Sequence, residues 1–307
     1  DYFIKYTLCR ALEIYRNIEN DKAILNTEIN TKFFENILAF AESHKEVIAE
    51  DDLIAMHYNE ILLNIRKEDK YYYELKEIKN RIEGRLNSHT LRNLYVTMVN
   101  YCIRKTNLGF TGFDAERFEL DKEIMQKDIH STGEYFDMNY FLSTVRNAVS
   151  LGKHNWSEDF IRKYGIKLEP RHKAFAESYA LGALAYGKKE YGKALEHLSK
   201  INIEYSARKQ QIKNLMIVIY CETGAYENAL NLIDTSKHSL KHDKQIPEER
   251  KKTFSKFLVF AGKYIKLELD PDDFKANSLK QKIIVSGHFA NREWLLKKIA
   301  DLTIHQQ

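Results

Sequence analysis

The sequence has 307 residues, a formal net charge of +4, 12 glycines and 3 prolines. So few turn-forming residues argue against folds that are rich in strands and loops. A content of 44% hydrophobic and 30% charged residues is typical of a well-packed chain and excludes a disordered one. No stretch approaches the roughly 18 apolar residues of a membrane span, so we expect no membrane contact.

The cysteines indicate the redox environment of the protein. Cys9, Cys102 and Cys221 are far apart, and none lies in a CxxC motif or beside a histidine at zinc-ligand spacing. We therefore expect three small buried thiols in a reducing compartment, and a cytoplasmic location.

Residues 1–135 are predicted to form irregularly spaced helix pairs. Apolar residues at helical spacing predict helices over the ranges 2–19, 28–48, 51–66, 69–86, 88–106 and 113–128. The clearest break is "TNLGFTGF" (106–113), because one glycine can end a helix and the other can admit the next.

The segment "KYYYEL" (70–75) contains three consecutive tyrosines. Neighbouring residues on a helix point about 100° apart, so the three rings cannot all enter one core. At least one should lie on the surface. It then either serves an interface, where tyrosines are favoured, or has no partner at all.

Residues 136–236 contain a repeated pattern. The segments "LGKHNWSEDFIRKY" (151–164), "YGKKEYGKALEHLS" (186–199) and "CETGAYENALNLID" (221–234) align on Trp156, Tyr191 and Tyr226. A longer apolar helix precedes each segment, so the predicted unit is helix, short turn, helix in about 35 residues. Such units bury their apolar stripes by stacking on one another.

Small residues mark the predicted contacts between these helices. Ala194 and Ala229 follow the aligned tyrosines by three residues, whereas Asp159 stands at this position in the first unit. We expect both alanines to be buried where helices cross, because a small side chain lets a neighbouring helix approach closely.

These residues carry two resemblances. Leu181, Gly182, Tyr191, Ala194 and Leu198 resemble the tetratricopeptide signature. In addition, "NYCIRKTNLG", "WSEDFIRKYG" and "NREWLLKKIADL" are similar to a family of uncharacterised bacterial tetratricopeptide-like proteins seen in Bacteroidetes. The resemblances imply an all-α fold, an α-solenoid of stacked antiparallel helix pairs that forms a superhelix.

The resemblance also implies a site. In tetratricopeptide units the first helix of each pair lines the concave face, which binds a peptide or protein segment. The corresponding residues in this sequence are Thr144, Tyr179, Tyr186, Asn214 and Glu222. The Lys/Asn carboxylate clamp of some members is absent, so we expect no capture of a C-terminal carboxylate.

Residues 237–307 are predicted to be capping helices that include Trp294. Their first part, the basic stretch 237–256, suggests an alternative function. The protein could be a regulatory module of a nucleic-acid-binding protein whose DNA-binding part lies in this stretch or outside the sequence. Such a stretch is more often a solvated loop followed by an amphipathic helix, so we do not expect nucleic acid to be the partner.

We find no motif that predicts catalysis. The sequence has no Gly-rich phosphate loop, HExxH or GxSxG. His238 and His242 have a spacing that could share a metal, but Lys237, Lys241 and Lys244 would repel a cation. We therefore expect no enzyme activity, cofactor or metal. The predicted function is a scaffold for an unknown protein or peptide.

Overall fold

The computed structural model describes residues 2–25, 29–130, 133–201, 206–244, 246–287 and 289–304. Within these ranges the regular structure is helical and includes no β-strand; an isolated bridge joins Phe136 to Leu168. The all-α prediction is confirmed. No helix of the described ranges has both the length and the apolar character needed to cross a membrane.

Contacts between residues divide the chain into two compact units. Unit 1 comprises residues 1–106 and 111–132, and unit 2 comprises 107–110 and 133–307. The boundaries expected from the sequence, at 135/136 and 236/237, stay predictions.

Unit 1 contains helices close to the predicted ranges. They are α1 (Tyr2–Leu25), α2 (Lys32–Ser43), α3 (Lys45–Glu50), α4 (Asp52–Arg66), α5 (Asp69–Ile82), α6 (Ser88–Asn107) and α7 (Phe113–Gln126). Gly109 and Gly112 adopt φ of 87° and 88° between α6 and α7, which confirms the predicted break. The helix predicted over 28–48 is instead interrupted at His44, whose ring stacks on Phe40.

A buried polar contact joins three helices of unit 1. The Lys79 ammonium on α5 and the Tyr95 hydroxyl on α6 both donate hydrogen bonds to Glu123 on α7. Burial is the largest single effect and would raise the pKa of Glu123, but the two hydrogen bonds and the charges of Lys79 and Lys127 together lower the pKa below its ordinary value of 4.5. Lys79 is 3% exposed, and this carboxylate is its counter-charge.

Unit 2 continues with nine helices within its described residues. They are α8 (Met138–Ser150), α9 (His154–Gly165), α10 (Pro170–Gly187), α11 (Tyr191–Ser199), α12 (Ser206–Glu222), α13 (Tyr226–His242), α14 (Glu248–Leu269), α15 (Asp273–Val285) and α16 (Arg292–Ile304). Each helix from α8 to α15 packs on the next one, so contacts occur within the helix pairs and, as between α9 and α10, across the pair boundaries. Alternate helices meet as well, since α8 packs on α10, α12 on α14 and α14 on α16.

The same turn joins the two helices of three pairs in unit 2. Gly152, Lys189 and Gly224 each adopt a left-handed conformation, with φ of 70°, 62° and 72°. In each turn the amide of this residue donates to the carbonyl three residues earlier, and the next amide donates to the carbonyl five residues before it. This is a recurrent helix C-cap arrangement that satisfies the last carbonyls of the first helix.

The turns correct the alignment of the first unit by two residues. The left-handed residues are 37 and 35 residues apart, and each precedes the start of the second helix by two residues. The counterpart of Ala194 and Ala229 is therefore Ser157, and not Asp159. All three small residues have 0% exposure, so the predicted burial of both alanines is confirmed.

The space around these positions is tight. A Cβ atom on Gly182 would lie 2.9 Å from the Leu198 side chain and 3.4 Å from the carbonyl oxygen of Ala194. α10 and α11 therefore approach each other closely because both carry a small residue at the contact.

We predict that Ala194→Leu destabilises the protein by about 1–3 kcal/mol, because the added side chain overpacks this contact. Ala174→Leu is the matched control, since Ala174 is exposed on α10. Thermal and denaturant unfolding would measure the difference. Equal stability of the two variants would show that the contact at Ala194 has room to adjust.

We predict that Glu123→Gln lowers the free energy of unfolding by about 1–2 kcal/mol, because it leaves the Lys79 ammonium buried without a counter-charge. In the wild type, the contribution of Glu123 to the free energy of unfolding is present above the ordinary pKa of 4.5. It is lost as the pH falls through the lowered pKa of the folded state. The stability of Glu123→Gln should therefore change less with pH below 4.5 than the stability of the wild type does. Glu119→Gln is the control, since Glu119 pairs with Lys122 on the surface of α7. Identical pH profiles of both variants would contradict the assignment.

Candidate functional site

The structure places the five predicted contact residues on three helices of unit 2. Thr144 on α8 has no exposed surface, and Tyr179 on α10 and Asn214 on α12 are 5% and 3% exposed. Tyr186 and Glu222 are partly exposed. Of the five predicted contact residues, Tyr186 and Glu222 are therefore the two that a partner could contact without a change in the structure.

The corrected alignment also changes the position of Thr144 in its repeat. A step of 37 residues back from Tyr179 reaches Leu142, so Thr144 is not the counterpart of Tyr179. Its hydroxyl is buried without a hydrogen-bond partner in the described part of the chain. Thr144 is thus an interior residue of α8.

Asn214 lies in a polar interior face of α12. Gln210, Lys213 and Asn214 are buried at positions i, i+3 and i+4, and Gln210 Nε2 donates to Asn214 Oδ1 at 2.9 Å. Burial, followed by the nearby charge of Lys209, lowers the pKa of Lys213. We did not identify Lys213 from the sequence, although it is the lysine of the largely apolar stretch "IKNLMIVIY" (212–220).

Glu222 holds the last helix of unit 2 in place. Trp294 Nε1 and Lys298 Nζ, both on α16, donate to its two carboxylate oxygens at 2.6 and 2.7 Å. Burial, and then the Glu222 charge, raise the pKa of Tyr186, whose ring centroid lies 6.2 Å from that of Tyr191. Both oxygens of Glu222 are thus engaged within the protein, and its role in partner binding stays a prediction.

We predict that Glu222→Gln loosens α16, because the variant leaves Lys298 without a counter-charge. The loss should be about 1.5–3 kcal/mol, as for a hydrogen bond to a charged group. Hydrogen exchange of the α16 amides would report it as faster exchange. Glu196→Gln is the control, since Glu196 pairs with Lys200 at the surface. Unchanged protection of α16 in Glu222→Gln would contradict the role of this carboxylate.

The described part of unit 1 contains a groove of about 960 Å³ between α2, α3, α4 and α5. We call it the unit 1 groove. Tyr58, Tyr71 and Tyr73 line it, together with Asn59. Of the three tyrosines in "KYYYEL", Tyr71 and Tyr72 are buried and Tyr73 is 49% exposed, so the expected surface tyrosine is confirmed.

Asn59 gives the groove an unused hydrogen-bond acceptor. Its side chain is 3% exposed, and its Nδ2 donates to the Ala55 carbonyl oxygen at 2.9 Å. No described residue donates to its Oδ1. A buried amide oxygen without a donor is costly, so a turn of this amide toward the groove, where an N–H group of a bound molecule could reach the oxygen, would be favoured.

The charges around the groove are partly neutralised. Arg66 pairs with Glu42, and Arg81 Nη2 lies 2.8 Å from Asp52 Oδ1. The hydrogen bond from Arg81 is the main cause of the lowered pKa of Asp52.

Two acidic side chains beside the exposed Tyr73 have no counter-charge among the described residues. Glu74 and Glu77 form no ion pair within the described ranges, and neither does Lys45 across the groove. Tyr73 and Glu77 share a face of α5 at positions i and i+4. The wall that carries Tyr73 is therefore acidic.

The sequence carried a signal for this groove that our interpretation did not use. "HYNE" (57–60) places His57, Asn59 and Glu60 inside the otherwise apolar helix α4. Glu60 is satisfied by His57 Nδ1 at 3.0 Å and Arg16 Nε at 3.4 Å. Asn59 differs from Glu60 because its acceptor has no internal partner.

The three thiols and the His238–His242 pair can be described individually. Burial raises the pKa of Cys9 and Cys102 to about 11 and that of Cys221 to about 12, so all three are protonated at neutral pH. The rings of His238 and His242 are 4.7 Å apart. Among the described residues, no group of three or more His, Cys, Asp or Glu could hold a metal ion.

The basic stretch 237–256 is less positive at the surface than its composition suggests. Lys251 and Lys252 pair with Glu248 and Glu249, each at 2.7 Å, and Lys237 lies 3.6 Å from Asp234. Local carboxylates therefore neutralise part of the charge that could otherwise meet phosphates.

Comparison with known proteins identified no relative of this chain. A scan against protein-family models, a search of curated proteins and a search of solved structures each returned no significant match. The tetratricopeptide-like assignment therefore stays a hypothesis that rests on the residues.

Proposed function

We propose that this protein is an interaction scaffold that binds an extended peptide segment of a partner protein in the unit 1 groove. The single observation that carries the proposal is the groove lined by tyrosines, in which Tyr73 is exposed beside Glu74 and Glu77. An extended peptide offers backbone N–H groups along its length, and one of them can satisfy the Asn59 oxygen when this amide turns toward the groove.

The walls of the groove indicate which peptide would fit. Tyrosine rings bury a large area at low cost in conformational entropy, so Tyr58 and Tyr73 suit contacts with apolar side chains. Glu74 and Glu77 favour a basic side chain in the partner. We therefore propose a peptide with mixed apolar and basic residues.

Unit 2 supplies the scaffold's second part in this proposal. The repeated turns at Gly152, Lys189 and Gly224 and the contacts between alternate helices support a tetratricopeptide-like solenoid. Tyr186 remains the candidate for a contact on its concave face. The protonated thiols are consistent with a reducing, cytoplasmic environment.

The alternative, a module of a nucleic-acid-binding protein, rests on the basic stretch 237–256. Its internal ion pairs weaken that proposal, because a phosphate would compete with carboxylates already in contact. We therefore place it second.

A peptide library displayed on phage and panned on the full chain would test the proposed function. We predict enrichment of extended peptides with apolar and basic residues, and about tenfold weaker binding of the enriched peptides by Tyr73→Ala and by Asn59→Leu. Asn59→Leu removes the amide oxygen at similar volume.

Tyr6→Ala is the matched control for Tyr73→Ala, because Tyr6 is an exposed tyrosine of unit 1 that does not line the groove. It should bind as the wild type does. Enriched peptides that bind all three variants equally would move the site out of the unit 1 groove. Failure of the library to yield any peptide would count against the scaffold function.

A further inference from the structure

A second hollow lies between α14 and α15 in unit 2, and it differs in chemistry from the unit 1 groove. Its volume is about 370 Å³. We call it the lysine groove, because Lys263 and Lys266 from α14 and Lys275 and Lys282 from α15 line it. Each helix thus contributes two ammonium groups to the same concavity.

The charge of the lysine groove is poorly compensated within the protein. Lys275 Nζ lies 3.0 Å from Asp272 Oδ2, which gives this lysine a counter-charge. Lys263, Lys266 and Lys282 have no carboxylate within ion-pair distance in the described part of the chain. Among the described residues, Asp270 is the only acidic one that lines the hollow. Like charges that face one concavity repel one another, so an anionic ligand would be attracted.

The apolar part of the hollow limits the kind of anion. Leu267 and Leu279 line it and are buried, while Phe274 stands beside them with 85% of its surface exposed. A phosphate ion needs neither the leucines nor the exposed ring. A bulky apolar side chain would pack on this ring and remove an exposed aromatic from water.

We propose that the lysine groove binds an acidic peptide segment that carries one bulky apolar side chain. The apolar side chain enters the hollow over Leu267 and Leu279 and packs on Phe274. Flanking carboxylates of the peptide pair with Lys263, Lys266 and Lys282. The site is separate from the proposed function, because it shares no residue with the unit 1 groove and selects the opposite charge.

Single-stranded nucleic acid fits the lysine groove less well. Proteins that bind it stack successive bases on several aromatic side chains, whereas Phe274 is the only aromatic residue of the described ranges that lines this hollow. An oligonucleotide therefore serves as the competing probe in the test.

Fluorescence anisotropy with the full chain would test the proposal. The probe is a labelled peptide of Asp and Glu residues with one central Phe, compared with a peptide in which Ala replaces that Phe and with labelled oligo-dT. We expect the Phe peptide to bind at least about fivefold more tightly than the Ala peptide. Its affinity should fall as salt is added, because the ion pairs are exposed.

Three variants locate the binding. Lys266→Glu combined with Lys282→Glu should weaken binding of the Phe peptide at least about tenfold, because it reverses two charges in the groove. Phe274→Ala should weaken it about fivefold without loss of stability, since the ring is exposed. Lys280→Glu is the matched control, because Lys280 belongs to α15 but does not line the groove.

The results that would overturn the proposal are distinct. They are equal binding of the Phe and Ala peptides, unchanged binding by the double lysine variant, or equal losses in Lys280→Glu and the double variant. Binding of oligo-dT in preference to the Phe peptide would assign the surface to nucleic acid instead. Tyr73→Ala should leave this binding unchanged, so failure here is distinguishable from failure of the unit 1 groove.

Discussion

The close approach of paired helices at one small residue is the constraint on which the repeated part of unit 2 depends. Ser157, Ala194 and Ala229 have 0% exposure, and each follows a left-handed turn residue by five positions. The turn sets the direction of the second helix, and the small residue sets the distance. Without either, the apolar stripes of the two helices would not come into contact.

Much of this architecture could be predicted from the sequence, because helices depend on local periodicity. The break at Gly109 and Gly112 and the burial of Ala194 and Ala229 are examples. The two-residue shift in the first unit was missed because Trp156 is a more conspicuous marker than Ser157. The sequence does not show that Ser157 is buried. Its hydroxyl donates locally to the carbonyl of Lys153, so the burial of this serine requires no polar partner elsewhere in the chain.

The candidate site was less predictable. Thr144 and Asn214 lie between helices, and a repeat pattern does not reveal which side of a first helix is covered by its neighbours. The unit 1 groove depends on the interruption at His44 and on the tyrosines brought together from α4 and α5. Such a concavity arises from packing between helices, and the apolar periodicity of a single helix does not predict it.

Glu222 connects residues that are distant in the chain, and this has a consequence for folding. Its partners Trp294 and Lys298 lie 72 and 76 residues later, whereas the helix pairs of unit 2 contact their immediate neighbours. Local contacts form quickly, and contacts between distant residues form late. During synthesis, α12 can therefore pack well before α16 has left the ribosome. Until then its last turn presents an unpaired carboxylate, so the attachment of α16 is a late step in the folding of unit 2.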